Sequence, residues 1–252
     1  MITDSCRVIV SCFLDNRSSR NNSPPNKQSC LSFLKKVIDK EISLKSKISY
    51  DLIIINHDTD FSEGNEYLKN LNNTKTNNGK IITETIPNAG ISFDGYNYAF
   101  KKFKDKYENW IFSEDDHLLY ENNYYDILLE EYESKKNKNI GFLAFAPISH
   151  NFQFVHSGGG FGLTKRQVLN KIVDKFGSLP CYSAGHNITS SEIFFTNYVI
   201  QVGFELLLLE SFSCYPKNYY RCKDHELHRN LGIYKDLGKY FFQVGIDNGE
   251  EW

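Results

Sequence analysis

The sequence predicts an α/β fold in which a mainly parallel central sheet is flanked by helices. Short apolar runs such as 7–13 and 51–55 have the length and β-branched composition of buried strands. The segment between these two runs carries apolar residues at helical spacing, namely Leu31, Leu34, Ile38 and Ile42. Strands that alternate with helices in this way usually pair in parallel through right-handed crossovers.

Further elements follow in the same alternation. Strands are predicted over 80–86, over 110–112 and over 140–146. Helices are predicted over 65–71, 98–106, 124–135 and 164–175, and from 189 onwards. This last helix is predicted to be long, with four apolar residues that face the core: Ile193, Ile200, Phe204 and Leu207.

The chain length and composition predict one large globular domain. The 252 residues are 40% hydrophobic and 24% charged, which is ordinary for such a protein. Periodicity is weakest near the end, so we predict a domain over 1–214 and a C-terminal extension over 215–252 that packs on it. The net charge of −2 gives no broad electrostatic footprint for nucleic acid.

The lack of a recognisable signal peptide or membrane span, together with the cysteine spacing, predicts a cytoplasmic protein. The start of the chain carries Asp4 and no small-residue cleavage pattern, so it does not resemble a signal peptide. The longest apolar run, 202–209, is interrupted by Glu205 and is too short for a membrane span. The six cysteines show no Cys-x-x-Cys spacing, and we expect reduced thiols, without a zinc site or disulfides.

Three consecutive carboxylates follow the strand predicted over 110–112: Glu114, Asp115 and Asp116. Like charges repel, so their position at a strand end favours a cation that offsets them. Ligands of open α/β sheets bind at the carboxyl ends of the strands. The pattern predicts a divalent metal site for a phosphate-bearing ligand. The alternatives are a solvated acidic turn, or Ser113 capping a following helix together with Asp116.

Two glycine-containing segments are further candidates. Residues 88–97 precede a predicted helix, and their glycines would allow a ligand to approach the backbone at a helix N-terminus, where anions are favoured. A simple turn with a helix cap explains this segment equally well. Gly158, Gly159 and Gly160 could let a bulky ligand lie against backbone, or could mark a β-bulge.

The order of these segments resembles a glycosyltransferase of the GT-A fold, of the inverting, family-2-like kind that uses nucleotide sugars. The resemblance runs from residue 7 to about residue 203. It depends on the polar end of the second strand, the 88–97 segment, the acidic triplet at the place of a DXD-like motif, and the late Ser191-Glu192 pair. Two features depart from that family's pattern, namely a long first loop with Pro24-Pro25 and a single late acid in place of a pair.

The resemblance implies roles for residues of the donor site. Glu114 would face the ribose, and Asp116 would bind a Mn²⁺ or Mg²⁺ ion that bridges the diphosphate. His225 and His228 are candidates for a further metal contact from the tail, although a tail histidine is more often a surface residue. The nucleotide-binding residues implied by the resemblance are Phe13, Asn56, Asp58, Asn88, Gly90, Asn97, Glu114 and Asp115.

The resemblance also implies an acceptor site and a catalytic base. Gly158, Gly159 and Gly160 would floor the acceptor site. Glu192 would deprotonate the acceptor hydroxyl. The alternative for Glu192 is a capping box, because Thr189 stands three residues before it.

The resulting expectation is a cytoplasmic, metal-dependent glycosyltransferase that takes a UDP- or GDP-sugar and a sugar or glycoconjugate acceptor. A nucleotidyltransferase would also need a carboxylate-held metal on an α/β sheet. It would usually show a basic, glycine-rich phosphate loop near the first strand, and no glycine lies between Phe13 and Leu31. A non-catalytic carbohydrate-binding protein on a transferase-like fold is the third possibility.

Overall fold

The computed structural model describes residues 3–14, 26–87, 89, 91–115, 117–119, 122–135, 137–144, 147–150, 154–157, 161–181, 188–208 and 242–244. The helices within these ranges are α1 (Lys27–Ser43), α2 (Ser62–Leu71), α3 (Ile91–Phe103), α4 (Tyr124–Ser134), α5 (Arg166–Phe176) and α6 (Ile188–Gln201). The strands are β1 (Ser5–Ser11), β2 (Asp51–His57), β3 (Ile81–Ile86), β4 (Asn109–Glu114), β5 (His117–Leu119), β6 (Ile140–Ala144), β7 (Pro147–His150), β8 (Phe154–Ser157), β9 (Gly162–Lys165), β10 (Glu205–Leu208) and β11 (Phe242–Val244).

Among the described residues, the central sheet has seven strands in the order β10-β6-β9-β4-β1-β2-β3. β1 pairs in parallel with β2 and β4, β2 with β3, and β10 with β6. Of the strands that the structure describes in this sheet, β9 alone runs antiparallel, between β4 and β6. The predicted fold class, α/β with a mainly parallel sheet flanked by helices, is therefore confirmed.

In the part of the chain that the structure describes, two small antiparallel pairs lie outside the central sheet. β7 pairs with β8, and β5 pairs with β11 of the predicted C-terminal extension. In the β5–β11 pair, His117 lies opposite Val244. The tail therefore contributes a strand directly beside the segment that follows the acidic triplet.

The order of the strands reverses between β1 and β4. β2 and β3 continue from β1 toward one edge of the sheet, whereas β4 lies on the other side of β1. Val10 of β1 is in register with Glu114 of β4, so the carboxyl ends of the two strands are neighbours. Such a switch point leaves a crevice at the carboxyl ends, where open α/β sheets bind their ligands.

The side chains of β1 alternate between two apolar layers. Ile9 packs in a cluster with Leu34 of α1 and Leu68 of α2. Val8 and Val10 pack in a second cluster that includes residues of α3, α5 and α6. Because successive side chains of a strand point to opposite faces, the two clusters lie on opposite faces of the sheet, and helices cover both faces.

Helix α3 begins at Ile91, earlier than the predicted start at residue 98. The prediction was wrong because Gly95 was taken as a turn residue, although Phe93, Tyr96 and Phe100 form a buried helical stripe. A Cβ atom on Gly95 would lie 2.5 Å from Cγ2 of Val10. The glycine therefore allows α3 to pack closely against β1.

The predicted inward face of α6 was also wrong. Phe195 and Val199 are fully buried, whereas Ile200 is 51% exposed and Ile193 is half-buried. The helix sequence is apolar on most sides, so its periodicity does not select one face. The helix ends at Gln201, and Leu207 lies in strand β10. None of the helices described here combines the length and apolarity that crossing a membrane requires.

Candidate functional site

The carboxyl ends of β1 and β4 are joined by backbone amides. The N–H of Cys12 donates to Oδ2 of Asp115 at 3.2 Å. The N–H of Asp115 donates to the carbonyl oxygen of Val10 at 3.1 Å. Asp115 is only 2% exposed, so its carboxylate depends on such donors to compensate for lost hydration. The chain that follows β4 is therefore fixed at the switch point of the sheet.

Glu114 differs from Asp115 because its side chain is partly exposed. The hydroxyl of Ser92 donates a short hydrogen bond to Oε1 of Glu114. Ser92 lies in the first turn of α3, where the helix dipole favours an anion. The two neighbouring carboxylates therefore have different surroundings. Asp115 points into the protein, whereas Glu114 is held at the N-terminal end of α3.

His117 directly follows the acidic turn, the name used here for the segment Glu114-Asp115-Asp116. Its Nδ1 accepts a hydrogen bond from the backbone N–H of Glu114 at 3.2 Å, and its ring stacks on Phe161 with 4.1 Å between ring centroids. Strand β5 begins at His117, so Ser113 does not cap a helix here. Ser113 is fully buried inside β4, and the capping alternative for Ser113 and Asp116 is wrong.

The polar residues at the carboxyl end of β2 also differ in burial. Asn56 is buried, and its Oδ1 accepts from the hydroxyl of Ser11 at 3.1 Å. Its Nδ2 donates to Oδ1 of Asn65 at 2.8 Å. The backbone N–H of Asp58 donates to the carbonyl of Ile86 at 2.7 Å, and the side chain of Asp58 is exposed. The hydrogen bonds of Asn56 thus connect the end of β2 to Ser11 and Asn65, whereas the carboxylate of Asp58 is exposed just after the strand.

Phe13 is fully buried. Its ring packs edge-on against Phe61 with 5.6 Å between centroids. A Cβ atom on Gly64 would lie 2.6 Å from Cε2 of Phe13, so the ring fits closely against the first turns of α2. The ring therefore belongs to the apolar wall beneath the edge of the sheet.

Asn97 lies inside α3, not in the segment before it as predicted. Its side chain is buried, and Oδ1 accepts from the backbone N–H of Leu179 at 3.3 Å. Cys181, two residues further on, donates through Sγ to Oδ1 of Asp94 at 3.5 Å. These contacts tie the chain that follows α5 to the N-terminal half of α3.

Glu192 is 9% exposed and lies within α6. The helix begins at Ile188, so Thr189 is already inside it and the capping-box alternative does not describe this helix start. Helix α6 packs beside β8, the strand that leads into Gly158, Gly159 and Gly160. Glu192 is therefore on an element next to β8, the strand that precedes the predicted acceptor segment in the sequence.

Several predicted site residues lie outside the described residues: Asn88, Gly90, Asp116, Gly158, Gly159, Gly160, His225 and His228. Their roles stay predictions. Within the described ranges, no group of three or more His, Cys, Asp or Glu side chains is arranged to hold a metal ion.

Three residues of this region were missed by the sequence interpretation: Arg7, Ser92 and His117. Arg7 is a single cation in the apolar run that forms β1, and that isolation is a signal for a buried polar role. Ser92 carries no such signal, because its contact with Glu114 depends on where α3 begins.

No protein-family model matches the chain, and no curated protein sequence matches it either. Solved structures similar to it include a protein described as a glucose-1-phosphate thymidylyltransferase from Bacillus anthracis, in complex with a sucrose. That similarity has 9% identity, a TM-score of 0.44, and coverage of 80% of this chain and 85% of the other.

A second similar structure is described as a nucleotide-diphospho-sugar transferase from Desulfovibrio desulfuricans G20. It is 9% identical with a TM-score of 0.46, over 94% of this chain and 98% of that one. The similarity extends over most of each chain and assigns no role to any residue.

Proposed function

We propose that this protein is a metal-dependent glycosyltransferase that moves a sugar from a nucleoside-diphosphate sugar to an acceptor hydroxyl with inversion. The observation that carries the proposal is the acidic turn at the switch point between β1 and β4. There, Glu114 is partly exposed beside α3, and Asp115 holds the turn against β1 through Cys12. A crevice at this position suits a nucleotide ligand.

The carboxylates of the turn fit a hard divalent cation. Mg²⁺ and Mn²⁺ prefer oxygen ligands, and Mg²⁺ is often held by one or two carboxylates together with substrate phosphates. Asp115 is turned inward, so Asp116 would hold the ion, with His225 or His228 as a further ligand from the tail. The partly exposed Glu114 would face the ribose. When bound, the ion neutralises charge that develops on the leaving diphosphate.

The nucleoside would lie beyond the ends of β1 and β2. Asp58 supplies an exposed carboxylate there, and Asn56 is fixed by Ser11 and Asn65 so that the strand end keeps its shape. The buried ring of Phe13 supports this wall from below. The nearby segment with Asn88 and Gly90 is proposed to approach the donor through its backbone.

The acceptor site is proposed in the segment after β8, and the catalytic base on helix α6. Gly158, Gly159 and Gly160 would form the acceptor floor, because glycine lets a bulky ligand lie against backbone. Glu192, on the neighbouring helix α6, would take the proton of the acceptor hydroxyl as it attacks the anomeric carbon. A positioned general base typically contributes about 10²–10⁴-fold to the rate.

A product assay tests this proposal against the two alternatives. A panel of UDP- and GDP-sugars is incubated with sugar acceptors and Mn²⁺, and release of nucleoside diphosphate is measured. A parallel reaction offers nucleoside triphosphates with sugar 1-phosphates, and release of pyrophosphate is measured.

We expect acceptor-dependent release of UDP or GDP that Asp116→Asn abolishes. Pyrophosphate release alone would contradict glycosyl transfer in favour of nucleotidyl transfer. Saturable sugar binding without either product would favour a non-catalytic carbohydrate-binding protein.

A further inference from the structure

A buried ion pair lies directly beneath the acidic turn. The side chains of Arg7 on β1 and Glu41 on α1 are 0% and 2% exposed, and Arg7 Nη1 lies 2.7 Å from Glu41 Oε1. The hydroxyls of Tyr50 and Tyr124 donate to the other carboxylate oxygen, Oε2, at 3.0 Å and 3.2 Å. The Glu41 carboxylate therefore accepts hydrogen bonds from three donors, one on Oε1 and two on Oε2.

Such a pair is a poor source of stability, because removing two charges from water costs about as much as their attraction returns. Burial alone would lower the pKa of Arg7, but Glu41 and the two tyrosine hydroxyls raise it above its ordinary value. The guanidinium thus stays charged in the interior. Its other hydrogen bonds indicate the role of this buried charge.

Those remaining contacts are on both sides of the acidic triplet. Arg7 Nε donates to Ser113 Oγ at 3.0 Å, and Nη2 donates to the backbone carbonyl of His117 at 2.7 Å. Ser113 immediately precedes Glu114, and His117 immediately follows Asp116. One rigid, planar group therefore holds both ends of the turn, while its third nitrogen is anchored on α1.

We propose that Arg7 is the positioning residue of the acidic turn, and that the fork formed by its three nitrogens sets where the carboxylate of Glu114 projects. This inference rests on the proposed function for its consequence, which is the geometry offered to metal and diphosphate. Glu41 acts one step further away, because it fixes the guanidinium through Nη1.

Hydrogen exchange at single backbone amides tests the proposal in ligand-free protein. The amides of Glu114 and Asp115 report the turn, because they donate to His117 Nδ1 and to the Val10 carbonyl. Ser113→Ala removes one acceptor of Arg7 with little loss of volume. Arg7→Lys keeps a positive charge beside Glu41 but lacks the planar fork.

The matched control is Tyr50→Phe, which removes a donor from Glu41 and leaves the contacts of Arg7 to the turn in place. We expect the two reporter amides to exchange at least about tenfold faster in Ser113→Ala and Arg7→Lys, the factor for one lost hydrogen bond from a charged donor. In Tyr50→Phe, the exchange rates of these two amides should change by no more than the change in the global free energy of unfolding predicts. Unchanged exchange in both test variants, or equal acceleration in the control, would overturn the proposal.

A binding measurement separates this inference from the proposed function. We expect Ser113→Ala to bind UDP or GDP with Mn²⁺ about tenfold more weakly than Tyr50→Phe. If exchange accelerates while affinity equals that of wild type, the turn does not depend on Arg7 for its function and the positioning role is rejected. If wild type binds no nucleotide, the proposed function fails, and the exchange result alone decides whether Arg7 holds the turn.

Discussion

The N–H of Cys12 donates a 3.2 Å hydrogen bond to Oδ2 of Asp115, and this contact joins the two strands between which the sheet order reverses. The charge of Asp115 is thus compensated by a backbone amide. From the sequence alone, the clustering of three carboxylates favoured a cation for all of them. The structure divides the triplet into an inward-facing carboxylate at Asp115 and a partly exposed one at Glu114.

Replacing Asp115 should therefore reduce stability. We expect Asp115→Ala to lower the free energy of unfolding by about 1.5–3 kcal/mol, because the buried amide of Cys12 loses a charged acceptor. Urea denaturation measures the change. The matched control is Asp174→Ala on the exposed side of α5, expected to change stability by no more than about 0.5 kcal/mol. Equal effects of the two substitutions would show that the Cys12–Asp115 contact contributes nothing.

The contact of Gly95 with Val10 predicts a pair of coupled substitutions. Gly95→Ala would favour the helix by up to about 1 kcal/mol, but its Cβ would meet Val10 Cγ2 at 2.5 Å. Overpacking costs about 1–3 kcal/mol, so we expect net destabilisation. Val10→Ala removes both Cγ atoms, and the double variant should lose less than the two single losses combined, with a coupling of about 0.5–3 kcal/mol in urea denaturation. Additive losses would contradict close packing of α3 on β1.

Cys181 should react slowly with alkylating reagents although its side chain is exposed. Partial burial of the thiol and the neighbouring Asp94 carboxylate raise its pKa to about 11. A raised pKa favours the thiol over the reactive thiolate, so the alkylation rate should keep rising with pH to about 11. Peptide mass spectrometry after iodoacetamide treatment measures this rate.

Asp94→Asn should move the midpoint of that pH profile downward, because one of the charges that opposes the thiolate is removed. Asp105→Asn, an exposed aspartate beyond the end of α3, is the control. A wild-type midpoint near the ordinary cysteine pKa of about 8.5 would contradict the contact between Cys181 and Asp94.

Glu192→Gln should separate catalysis from folding. The glutamine keeps the size of the buried side chain and one acceptor oxygen but cannot take up the proton. We expect an unchanged melting temperature and donor affinity, and turnover reduced by about 10²–10⁴-fold. The control is Glu205→Gln, an exposed position at the start of β10. Near-normal turnover in Glu192→Gln would remove this residue from the mechanism and make Asp94 or His186 the next positions to test.

The sequence predicted the parts of the fold that depend on local pattern. The apolar runs that became β2 and β4 were recognised because each is continuous and ends in polar residues. The position of the acidic triplet at the end of β4 follows from the same pattern. Local periodicity and strand ends therefore sufficed to predict the sheet class and the edge on which the candidate site lies.

The parts that depend on distant contacts were not predictable in this way. Gly95 was taken as a turn glycine, because its close approach to Val10 is invisible in the local sequence. Strand β9 has only four residues and runs directly into α5, so the segment was predicted as helix from residue 164. The Arg7 contacts with Ser113 and Glu41 likewise join residues that are far apart in the chain.

A metal-linked nucleotide site at the acidic turn is tested most directly by thermal shift with and without metal. A ligand that binds only the folded state stabilises it by mass action, by about 2.7 kcal/mol at a concentration of 100 Kd. We predict that UDP or GDP raises the melting temperature much more with Mn²⁺ than with EDTA. Asp116→Asn should lose that metal-dependent increment while it keeps the melting temperature of the ligand-free protein. An equal nucleotide response in Mn²⁺ and in EDTA would contradict the account.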